Sequence, residues 1–307
     1  MTRPPLPTDR PFTLAEAARL GYTRRMLQGR GFQIIYPTVY ARATLELTPR
    51  LLTQAALLAA PDHCVASHHS ALSLYGIDVG EDLLPHLATL SREPVRIRGI
   101  TTHRLSTMST RTVAGHRAVS PELAISTAAT LLSLTDLVVA IDGIYQRRLV
   151  TPGRLDHFLH HHHGAGVRRS RRALHLASPS SESARETYLR LMLELAAMPP
   201  LEVNVSYGDE NGVIARIDLS WRQWKIAIEY DGRQHGLSLA QRERDVRRRE
   251  QMERLGWIFI VVTAAQLARP RDIVLRVREA LLARQGWAPI PRFDDEWCSL
   301  FERADDE

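Results

Sequence analysis

The chain has 307 residues, of which 44% are hydrophobic and 24% are charged, and its formal net charge is +6. This length allows two or three domains, the composition is typical of a globular protein, and no stretch approaches the ~20 apolar residues of a membrane span. The cysteines Cys64 and Cys298 are too few for a disulfide framework or a zinc cluster. They favour a reducing cytoplasm, and MTRPPLPTDR lacks the apolar core of a secretory signal.

The positive charge favours a polyanionic partner, of which nucleic acid is the commonest. The alternative is compositional drift, because Lys225 is the single lysine among the 40 basic residues. The positions of the arginines are therefore more informative than their number.

Residues 1–45 predict a winged helix-turn-helix. The stretch TLAEAARLGYTRRMLQGRG has helical spacing, with Thr13 and Thr23 as expected N-caps on either side of Gly21. The following GFQIIYPTVYARA is rich in β-branched and aromatic residues, as expected for a two-stranded wing. In this arrangement the second helix reads DNA bases with Arg24, Arg25, Gln28 and Arg30. The alternative is a winged helix that contacts only protein.

Residues 46–150 predict a mixed α/β domain. LTQAALLAA, HHSALSLYG and the run from SPELAISTAATLLSL to IDGIYQRR have helical patterns, whereas EPVRIRGITTHR is typical of strand. Together with LAEAARLGYTRRML and IIYPTVYAR, the pieces VASHHSALSLYGI and THR make the first half resemble the type IV abortive-infection antitoxins (AbiEi-like). Residues 151–177 are expected to be a helical connector. Its histidine run, 160–163, can bind metal adventitiously, and its arginine cluster is either a phosphate contact or a solvated helix face.

From residue 178 the sequence predicts a compact α/β domain that ends near residue 290. SPSSESARETYLRLMLELA has an apolar helical stripe, and Glu186 shares the inward face of that stripe, one turn after Glu182. The alternative role for Glu186 is a capping box with Ser183, three residues earlier.

Two strand-like runs, VIARIDLSW and KIAIEYDG, follow with a short loop between them. A loop symmetric about Gln223 and Trp224 pairs Asp218 directly with Glu229. Opposed side chains on paired strands have Cβ atoms ~4.5–5.5 Å apart, so two carboxylates there repel unless a cation lies between them. A hard divalent ion, Mg²⁺ or Mn²⁺, is the expected cation, because it binds carboxylates and activates water.

ESARE, ARIDLSW, KIAIEYDGRQH, RERDVRRRE and LGWIFIVVT make this region resemble the PD-(D/E)XK nucleases, in particular the group similar to very-short-patch repair (Vsr-like) endonucleases. The resemblance implies a restriction-endonuclease-like αβββαβ core. It also implies a metal held by Asp218, Glu229 and Glu186, or by Glu182 in place of Glu186.

One position departs from that family. The usual lysine would stand two residues after Glu229, where this chain has Asp231. Lys225 shares the face but lies ~13 Å away along an extended strand. We therefore expect Asp231 and His235 to complete the catalytic set, with His235 orienting or deprotonating water. The alternative for His235 is a polar turn residue.

The helix-like stretch AQRERDVRRREQMERL contacts phosphate or pairs its charges internally. The expected DNA contacts of the second half are Arg216, Arg233, Arg247 and Arg248. GWIFIVVTAAQL predicts a buried final strand, 272–285 a closing helix, and 291–307 a loosely held acidic tail.

These observations favour a metal-dependent DNA endonuclease of the α/β (α+β) class, targeted by an N-terminal DNA-binding domain. The alternative is a DNA-binding regulator, antitoxin-like, whose nuclease-fold domain is catalytically idle. A retaining glycosidase that uses the paired acids is disfavoured by the 6% aromatic content. DNA is the expected partner, no membrane partner is expected, and a homodimer is compatible with the sequence.

Overall fold

The protein is described from a computed structural model that covers residues 3–80, 84–209, 212–232 and 239–302. It divides into two compact units, Met1–His175 and Leu176–Glu307. The described residues form twelve α-helices and three sheets, one antiparallel and two mixed. The α/β class predicted from the sequence is therefore confirmed.

Unit 1 begins with a three-stranded antiparallel sheet of order β1-β3-β2 and two short helices. Thr13 and Thr23 cap the helices as predicted, since each side-chain oxygen accepts a backbone N–H three residues on. Leu6, Phe12 and Tyr40 form the core of this segment. Its elements are β1 (Phe12–Thr13), α1 (Leu14–Arg19), α2 (Arg24–Leu27), β2 (Phe32–Tyr36) and β3 (Val39–Arg42).

The rest of unit 1 is built on a five-stranded mixed sheet of order β6-β5-β4-β8-β7. Strand β5 pairs antiparallel with β4 and parallel with β6. The buried helices α5 and α6 supply much of the core. The elements are α3 (Pro49–Ala59), β4 (Val65–Ala66), α4 (His68–Leu74), β5 (His86–Thr89), β6 (Thr101–Arg104), β7 (Thr110–Val113), β8 (His116–Val119), α5 (Pro121–Ala128), α6 (Leu134–Gln146), α7 (Pro152–His161) and α8 (Val167–Leu176).

The predicted connector, 151–177, lies almost entirely within unit 1. Arg154 Nε lies 2.6 Å from Oε1 of the buried Glu122, which anchors α7 to α5. Arg169 donates to the carbonyl of Ala129 and Arg171 to that of Leu159, at 3.0 and 2.9 Å. Two arginines of the predicted cluster therefore hold α8 in place, because they cap carbonyls that the preceding helices leave without a helical partner.

Unit 2 contains a four-stranded sheet of order β12-β11-β10-β9, in which only the β11–β12 pair is parallel. Helix α9 contacts β10 and β11, and α10 contacts β10 and β12. Met252 of α10 packs with Ile217 and Ala227 in the core. The elements are α9 (Ala184–Leu195), β9 (Glu202–Asp209), β10 (Gly212–Trp221), β11 (Ile226–Asp231), α10 (Leu239–Arg254), β12 (Ile258–Thr263), α11 (Pro270–Gln285) and α12 (Asp295–Phe301).

The expectation of a loosely held tail after residue 290 is wrong for residues 294–302. Asp294 caps α12, and Trp297 and Phe301 are only 1% and 4% exposed. The indole Nε1 of Trp297 donates to the carbonyl of Met192 on α9 at 2.9 Å. The acidic composition did not indicate that this segment forms a helix, α12, whose two aromatic residues pack against α9.

None of the helices in the described ranges has the length and apolar character that crossing a bilayer requires.

Replacing Trp297 with Ala is expected to lower the free energy of unfolding by about 3–5 kcal/mol, because a buried indole and its hydrogen bond are lost. The matched control is Trp287→Ala, at a position 64% exposed, where the change should stay within about 0.5 kcal/mol. Urea denaturation followed by circular dichroism measures both. Equal effects of the two substitutions would contradict the packed position of α12.

Candidate functional site

Asp218 and Glu229 face each other across the β10–β11 pair. The pairs Leu219–Ile228, Ser220–Ala227 and Trp221–Ile226 fix the antiparallel register, and one further step along it opposes Asp218 to Glu229. The backbone N–H of Tyr230 donates to Asp218 Oδ2 at 3.2 Å, which holds the carboxyl beside β11. The turn at 222–224 is a short 3₁₀ helix, symmetric enough to give the register predicted from the sequence.

Asn204 extends this row on the other side of Asp218. The pairs Ile217–Val205 and Leu219–Val203 oppose Asn204 to Asp218 across β9 and β10. Asn204 has a φ of +53°, a left-handed conformation that asparagine tolerates better than most residues. Its Nδ2 donates to Glu186 Oε2 at 2.7 Å and to the carbonyl of Ser180 at 2.8 Å. The row Asn204–Asp218–Glu229 therefore connects the sheet to Glu186 at the start of α9.

Glu186 has the capping role that the sequence left as its alternative. Its backbone N–H donates to Ser183 Oγ at 3.2 Å, and its Oε2 accepts from the N–H of Glu182 at 3.1 Å. Glu186 is also close enough to Asp218 to raise the pKa of that carboxyl. Glu182, the other candidate, is exposed and forms an ion pair with Arg216. Glu186 thus both caps the start of α9 and lies near Asp218. Glu182 forms an ion pair with Arg216 instead.

The pKa of Asp218 is raised to about 6, first by burial and then by the nearby carboxylates Glu186 and Glu229. The hydrogen bond from Tyr230 and the charge of Arg248 act in the opposite direction. Like charges gathered round a buried acid are common at functional sites, since they leave room for a cation.

The cation next to Glu229 in the structure is an arginine. Arg248 Nη2 lies 3.0 and 3.2 Å from the two carboxylate oxygens of Glu229, and Arg248 Nη1 donates to the carbonyl of Arg216 at 3.0 Å. Arg249 Nη2 lies 3.8 Å from the same carboxylate. Glu229 is only 8% exposed, so its charge needs such a partner. The sequence predicted a metal ligand at Glu229 and a DNA contact at Arg248; in this structure the two side chains contact each other.

The remaining predicted residues lie in different places. Asp231 is exposed at the end of β11, while Lys225 donates from Nζ to the carbonyl of Leu255 at 2.9 Å. Arg24, Arg25, Gln28 and Arg30 are exposed on or beside α2, which has only four residues. Arg247 is exposed and pairs with Glu243 at 3.3 Å. Arg233 and His235 lie outside the described residues.

Sequence reasoning missed Asn204 and Arg249, and it missed a histidine cluster in unit 1. Among the described residues, only His68, His86 and His103 form a group of three His, Cys, Asp or Glu side chains whose ligand atoms all lie within 4.8 Å of one another. Glu186, Asp218 and Glu229 interact electrostatically without meeting that criterion. The sequence features that could have indicated the histidine cluster are the two histidines in VASHHSALS and the one in TTHR.

No family model matches the chain. It is similar to two uncharacterized proteins of Mycobacterium tuberculosis, MT2308 of strain CDC 1551 and Rv2248 of strain H37Rv. Each is 23% identical over 256 residues, which cover 82% of this chain and 93% of the relative.

Replacing Arg248 with Met is expected to destabilise the protein by about 2–3 kcal/mol at pH 7, because Glu229 then lacks the cation that contacts both of its carboxylate oxygens. This is below the ~3–5 kcal/mol of a fully buried pair, since Arg249 remains close by. The matched control is Arg247→Met on the adjacent, exposed position, which should change stability by less than about 0.5 kcal/mol. Thermal denaturation of both variants measures the difference, and equal losses would argue against the ion pair.

Asp218→Asn is expected to stabilise the protein at pH 8 by on the order of 2 kcal/mol. Because the folded-state pKa is raised to about 6, ionisation of Asp218 costs stability progressively from about pH 4 to pH 6 and by a constant amount above. The advantage of Asn should therefore vanish near pH 4. Denaturant titrations across this pH range test it, with Asp295→Asn on an exposed position of α12 as the control. A variant less stable than wild type at pH 8 would contradict the raised pKa.

Proposed function

We propose that residues 184–263 form a metal-dependent endonuclease that hydrolyses phosphodiester bonds in DNA, and that residues 1–45 help to bind the DNA. The observation that carries the proposal is the half-buried carboxyl of Asp218, with its pKa raised to about 6 beside Glu229 and Glu186. Glu229 forms an ion pair with Arg248, whereas no ion pair of Asp218 or Glu186 is found among the described residues. Such an arrangement is typical of a cation-binding site.

The element order supports the same proposal. Residues 184–263 run helix, strand, strand, strand, helix, strand, which is the αβββαβ order of the nucleases that the sequence motifs resemble. Asp218 and Glu229 lie on the two central strands, β10 and β11, and Glu186 lies on the first helix. The proposed acids thus come from the same elements as in that family.

The donor atoms fit a hard divalent ion. Carboxylate oxygens are the preferred protein ligands of Mg²⁺, which commonly takes one or two of them together with waters and phosphate oxygens. Asp218 and Glu229 would hold Mg²⁺ or Mn²⁺, with Glu186 near them. When bound, the ion would polarise the phosphodiester and lower the pKa of a water molecule.

The protein side chains provide the rest of the proposed chemistry. The Asn204 side chain fixes the Glu186 carboxylate at 2.7 Å, and the backbone N–H of Tyr230 fixes that of Asp218. Glu229 must lose its contact with Arg248 before its carboxylate can bind the ion. The released guanidinium is then free to bind phosphate oxygens in the bidentate geometry that arginine favours. Asp231 and His235 remain the proposed residues for orienting or deprotonating water in the absence of the usual lysine.

A second candidate function is a DNA-binding regulator with an idle nuclease-like unit. The Arg248–Glu229 ion pair favours it, because both carboxylate oxygens are occupied within 3.2 Å. In that case Arg248 is a permanent substitute for the metal, and DNA binding depends on the exposed residues of α2.

Plasmid DNA incubated with the protein is expected to be cut only when Mg²⁺ or Mn²⁺ is present. Asp218→Asn and Glu229→Gln should lower the rate at least about 100-fold, since even outer-shell partners of a metal are typically worth ~10–100-fold. The control variant Asp295→Asn should cut the DNA at the wild-type rate. DNA binding of normal affinity with no cutting under any metal condition would reject the endonuclease and favour the regulator.

Arg24→Ala and Arg25→Ala are each expected to weaken binding to duplex DNA and to reduce the slope of log affinity against log salt by about 1, the value for one lost phosphate contact. Fluorescence anisotropy at several salt concentrations measures the slope. Arg92→Ala, at another exposed position of unit 1, is the control. Unchanged slopes in both α2 variants would remove the DNA-binding role of this helix.

A further inference from the structure

Three neighbouring strands of unit 1 bring three imidazoles together. His68 follows β4 as the first residue of α4, His86 is the first residue of β5, and His103 lies in β6. In the sheet, β5 lies between β4 and β6. The rings of His68 and His103 are 4.1 Å apart, and those of His86 and His103 are 4.8 Å apart. The cluster is therefore a product of the sheet order, because the three residues are far apart in the sequence.

Backbone contacts fix this arrangement. Ser67 donates its N–H to the carbonyl of His86 at 3.0 Å, which holds the end of β4 beside the start of β5. His103 pairs with Ala88 in the parallel register, two residues beyond His86 and hence on the same face of the sheet. His68 has a φ of +55° and donates its N–H to Thr127 Oγ1 at 3.2 Å. A left-handed histidine is a strained conformation that persists only where its surroundings enforce it.

Two of the three histidines are buried and His103 is half-buried. His68 and His86 are 4% and 9% exposed. Burial, together with the neighbouring histidines, lowers the pKa of His68 to about 2 and that of His86 to about 4. A neutral imidazole has one nitrogen with a free lone pair, which is the form that metal binding requires. His86 Nδ1 and His103 Nε2 lie 2.9 Å apart and form a hydrogen bond. The proton between them would leave when both nitrogens bind an ion, as metal binding to histidine releases protons.

We propose that His68, His86 and His103 bind one divalent transition-metal ion, for which Zn²⁺ is the best match. Neutral imidazoles suit Zn²⁺ and its neighbours in the first transition row, and three histidines leave one tetrahedral position for water or another ligand. Zn–N distances of ~2.0–2.1 Å place tetrahedral ligand nitrogens about 3.3 Å apart. The observed separations, from 2.9 Å to at most 4.8 Å, bracket this value.

Ser67 supplies the outer contact that such a site needs. Its Oγ lies 2.9 Å from Nδ1 of His68, which leaves Nε2 of that ring for the ion. Metal-binding histidines usually engage their second nitrogen in this way, since the contact fixes the ring and its tautomer. The site is independent of the proposed nuclease: it lies in unit 1, and its nitrogen ligands favour Zn²⁺ over the hard Mg²⁺.

The experiment needs a background without adventitious binding, because α7 and the residues after it carry exposed histidines. The starting protein is therefore the full chain with His157→Gln, His160→Gln, His161→Gln and His163→Gln. After chelation, incubation with Zn²⁺ and desalting, elemental analysis gives the ions retained per chain. Co²⁺ serves as a second probe, whose visible spectrum reports nitrogen ligation.

We expect one Zn²⁺ per chain in this background, and an affinity at least about 100-fold lower in His86→Gln and in His103→Asn. Ser67→Ala should weaken binding by ~10–100-fold, the usual effect of an outer contact. His69→Gln is the matched control, since His69 is 5% exposed and adjacent to His68 but outside the ligand group; it should retain the ion.

Circular dichroism establishes that the variants are folded. If His86→Gln does not fold, His103→Asn, at a less buried position, decides the test. The starting protein should also gain thermal stability with Zn²⁺ and not with Mg²⁺. No retained Zn²⁺ in the starting protein, or equal retention in the His103→Asn variant, would overturn the proposal.

Discussion

The central constraint in unit 2 is the placement of two carboxylates opposite each other on neighbouring antiparallel strands. Asp218 and Glu229 are forced together by the same register that buries Leu219 and Ile228 at 0% exposure, so the repulsion cannot be relieved without losing the core. The protein resolves it unequally. Glu229 receives Arg248, whose Nη2 contacts both carboxylate oxygens, whereas Asp218 receives one backbone hydrogen bond and has a raised pKa. This asymmetry leaves Asp218 as the acid that a further cation can stabilise.

The register was predictable because it depends on local information. Alternating apolar residues in ARIDL and the apolar run IAI mark the two strands, and the length of the loop between them then fixes which residues oppose each other. The caps Thr13, Thr23 and Ser183 were predictable for the same reason, since each acts on a backbone N–H three residues on. The α/β class and the helices of residues 46–150 also follow from periodicity alone.

Long-range partner choice was not predictable. Arg248 is one of several arginines on α10, and its selection by Glu229 depends on how that helix crosses the sheet, which no spacing rule specifies. Asn204 requires a left-handed residue inside a strand, and its sequence context, EVNVSY, is that of an ordinary strand. The histidine cluster depends on the order of β4, β5 and β6, and α12 on two aromatic residues within an acidic segment. In each case the information lies in tertiary packing.

The two proposed metal sites have different ligand atoms, oxygen in unit 2 and nitrogen in unit 1, so each proposal can be tested separately. For unit 2 the most direct measurement is the pKa of the Asp218 side chain, obtained by following its carboxyl carbon by NMR as a function of pH, with and without Mg²⁺. We expect a value near 6 without the ion, and a value below the ordinary range for aspartate in saturating Mg²⁺. An ordinary pKa that Mg²⁺ does not change would contradict the account, because Asp218 would then be neither crowded by its neighbours nor available to a cation.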